Sequence, residues 1–303
     1  MIARIADNTR FSTMAGNIAN LQDGMSGVSE QLSTQKKINQ PSDDPEGTKL
    51  VLNLRAADAS IDQYKANIMS GQTWLKTTAL TLNGIADLLT LAQGVAQNAA
   101  GGSVADRTAA AASLQTITDQ ILAYANGELD GRYLFAGVKT DTKPFPDTTS
   151  AYQGDSNALQ INIGQSTSAG YNITGAAVFP ASAGGGVALF ETLDALKAAL
   201  LANDSPAMTT ALTDLQNAGR LVQDNITTTN AMVSNLEFAD GHLTYLKNNV
   251  ESMISNREDA DAGQLAMKLQ MQALALNATY STVAKIGQNT NTLLEFLTGI
   301  TLT

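Results

Sequence analysis

Residues 54–96, LRAADASIDQYKANIMSGQTWLKTTALTLNGIADLLTLAQGVA, decide the fold. Along this stretch Leu54, Ile61, Ile68, Leu75, Leu82, Leu89 and Ala96 stand seven residues apart, and Ala57, Tyr64, Gly71, Thr78, Ile85 and Ala92 each follow three residues later. A strand shows alternate residues on one face, so this repeat does not suit a sheet; on a helix it draws one apolar stripe that needs another helix laid along it. The spacing predicts a single helix of roughly fifty residues. Its start is marked by Asp44 as N-cap acceptor and by Pro45 at the first helical position, where the missing N–H costs nothing.

Upstream, Phe11, Met14, Ile18, Leu21, Met25, Val28 and Leu32 recur at alternating spacings of three and four, a second heptad seam. It breaks at Asn39-Gln40-Pro41-Ser42-Asp43-Asp44-Pro45. Downstream, Ala99-Ala100-Gly101-Gly102 ends the long helix, and Ser103 with Asp106 forms a capping box for a helix marked by Leu114, Ile117, Ile121 and Tyr124. From Gly131 to Pro180 the pattern turns to short β-like runs, 132–135, 159–163 and 171–174, set among Gly, Pro, Asp and Ser. Gly184-Gly185-Gly186 reads as the linker out of this insert. Helical periodicity resumes at Leu189, and Ser205-Pro206, read as N-cap and first-turn proline, opens a very long helix. Its seam runs from Met208 to Leu236 and, after one shortened step, from Ala239 to Met253. A last helix carries Leu265, Leu269, Leu276, Val283, Ile286, Leu293, Leu297 and Ile300.

The predicted fold is mainly α with a small β-rich insert: a nested antiparallel bundle or coiled coil of long helices. Three layers are expected. Residues 1–40 and 262–303 are paired terminal helices forming an inner polymerisation domain, 41–130 with 187–261 a long-helix bundle, and 131–186 an outer insert. The seams of the inner helices are expected to be core. Those of the terminal helices have too little of their own chain to cover them, which points to a self-assembling structural protein.

Composition narrows the function further. Only 15% of residues are charged, and 28 acidic against 18 basic residues give a net charge of −10. Phosphate backbones and acidic membrane surfaces call for clustered Lys and Arg, so neither nucleic acid nor a membrane is an expected partner. Cysteine is absent, which excludes disulfides, thiol nucleophiles and Cys-ligated zinc. The start, Met-Ile-Ala-Arg-Ile-Ala-Asp-Asn-Thr-Arg-Phe, has no apolar run of a secretion signal, so residence in the cytosol or export without a cleaved signal is expected.

Catalytic patterns fail in turn. One histidine, His242, excludes His-based triads and multi-His metal sites and reads as a surface or packing residue. Ser33-Thr34-Gln35-Lys36 matches a Ser-x-x-Lys nucleophile motif, but its companions Ser42-Asp43-Asp44 and Lys139-Thr140-Asp141 are imperfect and outside any α/β setting. Glu258, Asp259 and Asp261 lack the spacing and glycine of a calcium loop and read as a solvated helix start. Trp74, beside Leu75 in the inner seam, reads as packing. No enzyme activity, metal or cofactor is expected.

Glu30-Gln31-Leu32-Ser33-Thr34-Gln35-Lys36-Lys37-Ile38-Asn39-Gln40-Pro41-Ser42-Asp43-Asp44-Pro45 resembles the N-terminal signature of the bacterial flagellin superfamily. Ser255-Asn256-Arg257-Glu258-Asp259-Ala260-Asp261, followed by Ala266-Met267-Lys268-Leu269, resembles its C-terminal segment. Gln35 departs from the glycine common in flagellins. Gly131-Arg132-Tyr133-Leu134-Phe135-Ala136-Gly137, with Thr142-Lys143-Pro144-Phe145, is similar to the hook-associated junction branch of that superfamily, and the likeness spans residues 11–298.

The resemblance implies a flagellin-like fold and an extracellular, axial component of the flagellum, exported by the flagellar type III system and joining hook to filament. Its implied partners are further copies in a homo-oligomeric ring, a preceding hook-associated junction protein, flagellin, and a cytosolic export chaperone on Leu265, Leu269, Leu276, Val283 and Leu293. Intersubunit contact is expected through Phe11, Met14, Ile18, Leu21, Met25, Val28 and Leu32, and through Leu265, Leu269, Leu276, Val283, Ile286, Leu293 and Leu297. Two other readings remain. A flagellin filament subunit would share both end signatures, with the 131–145 segment against it; a soluble chemoreceptor-type signalling coiled coil would lack the β insert.

Overall fold

The computed structural model describes the backbone of residues 2–182 and 186–299 and the side chains of 12–182 and 186–285. Gly184 and Gly185 of the expected linker lie outside the described residues. The helices, in order, are α1 (Ile2–Thr34), α2 (Pro45–Ala99), α3 (Val104–Ala125), the single turn α4 (Gly175–Val178), α5 (Ala188–Ala202), α6 (Ser205–Glu258) and α7 (Ala262–Gly299). Between α3 and α4 lie the short strands β1 (Glu128–Leu129), β2 (Arg132–Tyr133), β3 (Gln160–Asn162) and β4 (Ser168–Gly170).

The helix starts follow from side-chain chemistry. Asp44 caps α2 as expected, its Oδ1 accepting from the Gly47 N–H at 2.8 Å. At α3 the capping box closes both ways: the Ser103 hydroxyl accepts from the Asp106 N–H, and the Asp106 carboxylate accepts from the Ser103 N–H at 2.8 Å. At α6 the expectation needs correcting. The cap is Asp204, whose Oδ1 accepts from the Ala207 N–H at 3.0 Å, while Ser205 is already helical. A carboxylate outcompetes a hydroxyl here because it is ionised beside the positive end of the helix.

The chain divides into two compact units, Met1–Asp58 with Asn248–Thr303, and Ala59–Lys247. In the second, Ile61, Ile68, Leu75, Leu82, Leu89 and Ala96 of the α2 seam are all buried. By length and composition α2 could cross a membrane, but this stripe is the core of a helical unit. Leu114, Ile117, Ile121 and Ala125 of α3 meet it, α5 packs on α3 through Phe190, Leu193 and Leu196, and α6 adds Met208, Leu215, Val222 and Ile226. Tyr124 stands off this stripe, 44% exposed, and Ala125 takes the place expected of it. The buried seam threonines Thr78, Thr118 and Thr229 each donate to the carbonyl four residues back, at 2.9, 2.8 and 2.7 Å, so their hydroxyls enter the core satisfied.

The insert contains two antiparallel hairpins, with Glu128 opposite Tyr133 and Ile161 opposite Ala169. Asp130 and Gly131, at φ +52° and +72°, make the two-residue turn of the first, a conformation that Asp-Gly favours. The expected strand at 171–174 is not one: pairing stops at Gly170, Tyr171 adds a last backbone bond to Leu159, and Asn172 turns its side chain to accept from the Leu159 N–H. Aromatic packing holds the insert instead. Phe135, Phe145, Phe179 and Phe190 are fully buried, with Phe145 edge-on to Phe179 at 5.1 Å. Trp74 is core, as expected, lying edge-on to Tyr171 with the Arg132 guanidinium 5.1 Å from its ring centre.

Candidate functional site

The terminal helices α1 and α7 pack along each other within the first unit. Met14, Ile18, Leu21, Met25 and Leu32 on α1, and Leu265, Leu269, Leu276 and Val283 on α7, are half-buried; among the described seam residues only Val28, at 3% exposure, is closed off. The pair comes close at Gly24, where a Cβ would stand 2.9 Å from Gln272 Nε2, and Gln22 Nε2 donates to the Tyr280 hydroxyl at 3.1 Å. The opposite side of α7 adds Met267, Met271 and Leu274, spaced as one helix face and 61%, 68% and 72% exposed. The side chains of Phe11, Ile286, Leu293 and Leu297 lie outside the described residues. Two lone helices cover at most one stripe of each other, which is why the seams stay half open.

Both terminal helices join the long ones through a compact hinge. α1 ends at Thr34, and Gln35 takes the left-handed conformation at φ +57°. Lys36 then bridges Asp259, Lys37 N–H donates to the Glu258 carbonyl at 2.6 Å, and Ala260 N–H donates to the Gln35 carbonyl at 2.8 Å. Glu258, the last residue of α6, is 7% exposed. Its carboxylate accepts from Lys36 Nζ at 2.7 Å and from Arg55 Nη2 at 2.8 and 2.7 Å. Burial works to raise the Glu258 pKa, yet these two cations hold it below the ordinary glutamate value. Beside it Arg257 donates to Asp44 Oδ2 at 2.6 Å, and Gly47 leaves the room: a Cβ there would fall 2.8 Å from Arg257 Nε.

The reading of 258–261 as a solvated helix start is therefore half right. Asp261 does open α7, accepting from Gly263 and Gln264 N–H at 2.9 and 3.1 Å. Glu258 instead closes the preceding helix from inside. Its cations lie 222 and 203 residues away in sequence, and no local pattern announces them. Lys36, the lysine of the Ser-x-x-Lys match, is bound to Glu258, and Ser33 is exposed. His242 is exposed on α6, as expected of a surface residue. Among the described residues no cluster of His, Asp and Glu could hold a metal ion.

Residues 5–140 match the model of the bacterial flagellin N-terminal helical region. Flagellar hook-associated protein 3 of Salmonella typhimurium is 27% identical over 302 residues, covering 92% of this chain and 95% of that protein. Among solved structures, a flagellar hook-associated protein of Vibrio parahaemolyticus superposes with a TM-score of 0.64 at 23% identity, covering 72% of this chain and 100% of that one. The flagellar junction protein FlgL of Legionella pneumophila does so with a TM-score of 0.57 at 14% identity, over 69% of this chain and 100% of that one. The helical fold is theirs. The chain carries a match to the flagellin N-terminal helical region over residues 5–140 and is a structural protein of the bacterial flagellum.

Proposed function

We propose that this chain is the junction piece between hook and filament, a non-enzymatic adaptor that works by packing. The observation that carries the reading is the α1/α7 pair: its heptad seams stay half-buried in the monomer, and Met267, Met271 and Leu274 stand open on the opposite side of α7. Burying such apolar surface between copies supplies the free energy that isolated terminal helices lack. In this proposal residues 1–40 and 262–303 form the inner polymerisation layer, 41–130 with 187–261 the bundle around it, and 131–186 the outward insert. Met14 to Leu32 and Leu265 to Val283, continued through Phe11, Ile286, Leu293 and Leu297, make the intersubunit contacts of a homo-oligomeric ring. The ring sits on a preceding hook-associated junction protein and receives flagellin. Before assembly an export chaperone covers Leu265, Leu269, Leu276, Val283 and Leu293, and the chain leaves the cytosol through the flagellar type III system without a cleaved signal peptide.

The test is a strain whose copy of this gene is deleted. Loss of filaments with unpolymerised flagellin shed into the medium, cured by the intact chain, is the expected result. Loss of the major filament protein itself would make the chain a flagellin and overturn the junction reading.

A further inference from the structure

Asn126 closes α3 and holds the insert with the same side chain. It is the C-cap of α3, and its Nδ2 donates to the Leu122 carbonyl at 2.9 Å. The rest of the amide faces the backbone of Phe145, nineteen residues away: Nδ2 donates to the Phe145 carbonyl at 2.7 Å, and Oδ1 accepts from the Phe145 N–H at 3.0 Å. Phe145 is fully buried, and its ring meets Tyr152, Phe179 and Phe190. One amide therefore seats the aromatic core of the insert on the end of a helix, and it does so by donating and accepting at once. The next residue is Gly127. An Asn-Gly pair is prone to intramolecular deamidation because glycine has no Cβ to keep its nitrogen away from the asparagine side chain. In the fold that attack is held off. Gly127 N–H donates to the Tyr124 carbonyl and its own carbonyl accepts from the Leu134 N–H, both at 2.9 Å, while three hydrogen bonds fix the Asn126 amide.

We propose that Asn126 is a deamidation site that sets an age limit on unfolded copies of the chain: folding shields it, and in a chain that stays unfolded Gly127 converts it to an acid that no longer seats the insert. In the first step the Gly127 nitrogen bonds to Asn126 Cγ, the Cγ–Nδ2 bond breaks, and ammonia leaves with the Gly127 proton. Water then opens the five-membered ring, at Cγ to give aspartate or at the Asn126 backbone carbonyl to give isoaspartate. Aspartate still accepts from the Phe145 N–H, but both donations are gone. Its charge then faces the Leu122 and Phe145 carbonyls at the negative end of α3. Isoaspartate also lengthens the backbone beside the cap. The sequence holds one other Asn-Gly pair, Asn83-Gly84, inside α2. Asn83 is exposed, and its Nδ2 donates to the Ala79 carbonyl of its own helix at 2.7 Å. It shares the chemistry of Asn126 without the hold on the insert.

The test ages the purified full chain in mild alkali, once folded and once in guanidinium chloride, and reads the amide-to-acid mass change. Trypsin, cutting after Lys76, Arg107 and Arg132, puts the two asparagines on separate peptides. In denaturant both are expected to convert at similar rates, and in the folded chain Asn126 is expected to convert about tenfold or more slowly than in denaturant. Gly127→Ala should slow conversion at 126 severalfold in denaturant and leave that at 83 unchanged. Asn126→Asp is expected to melt about 4 °C or more below the parent in the 59–247 unit, whereas Asn83→Asp melts with the parent. Equal conversion of Asn126 in folded and denatured chains, no conversion in denaturant, or an Asn126→Asp chain that melts with the parent overturns the inference. Failure of Asn126→Asp to fold while Asn83→Asp folds counts as loss of the seat, and the folded-to-denatured rate ratio, which needs no variant, still decides whether the fold shields the site.

Discussion

Glu258 binds Lys36 and Arg55 with one carboxylate, so its charge state decides how firmly the hinge holds. Its folded pKa lies below the usual 4.5, so the stabilisation is in place above pH 4.5 and is lost as pH falls through the folded value. Glu258→Gln is expected to destabilise the first unit by about 1–3 kcal/mol, toward the low end because both cations are half in water, and to flatten that acid dependence in thermal melts. Gln35 sits at φ +57°, where a side chain is disfavoured. Gln35→Gly is expected to raise stability by up to about 1 kcal/mol in denaturant unfolding, part of the relief being offset by the freer unfolded glycine. The glycine common in flagellins at this point suits that backbone. In the insert, Tyr152 OH has the Phe135 and Asp155 carbonyls at 2.7 and 2.9 Å as acceptors. Burial pushes its pKa up to about 12, so its contribution is complete below pH 10 and lost as pH rises toward 12. Tyr152→Phe should cost about 1–3 kcal/mol in the melting of the 59–247 unit and remove that alkaline loss.

Among the elements, α2 was legible almost completely, because a heptad read along one helix needs no knowledge of its partner. Ile61 to Ala96 are buried where the repeat placed them. Misreadings came where a local signal competed with a distant one. Ser205 looked like a cap, but Asp204 beside it binds the helix end more strongly; residues 171–174 looked like a strand, but Asn172 breaks the ladder with its own side chain. The terminal helices carry as regular a heptad as α2 yet end half-covered. For them Leu276→Asp with Val283→Asp is expected to abolish assembly, scored as filament loss, while leaving the melting of the 59–247 unit unchanged within about 0.5 kcal/mol. A large drop in that melting would make these leucine and valine positions part of the monomer core.

For the whole molecule, the division at 58/59 and 247/248 predicts separable behaviour. Removing residues 1–35 or 265–303 is expected to leave a soluble protein whose second unit melts as in the intact chain by calorimetry. The same truncations should fail to restore filaments in the deletion strain, and restored filaments would refute the role given to the seams. By itself the sequence determined the long helices, most of their caps, the insert between them and the likeness to flagellar proteins, because periodicity, capping chemistry and the end signatures are all local in the chain. Tertiary structure alone decided which charges are paired across the helices. Glu258 meets partners more than 200 residues away, and Glu237, Asp240 and Lys247 turn to α2 and leave Phe238 bare. Ion pairing depends on proximity in space, and no spacing along a chain encodes that before the helices are laid side by side.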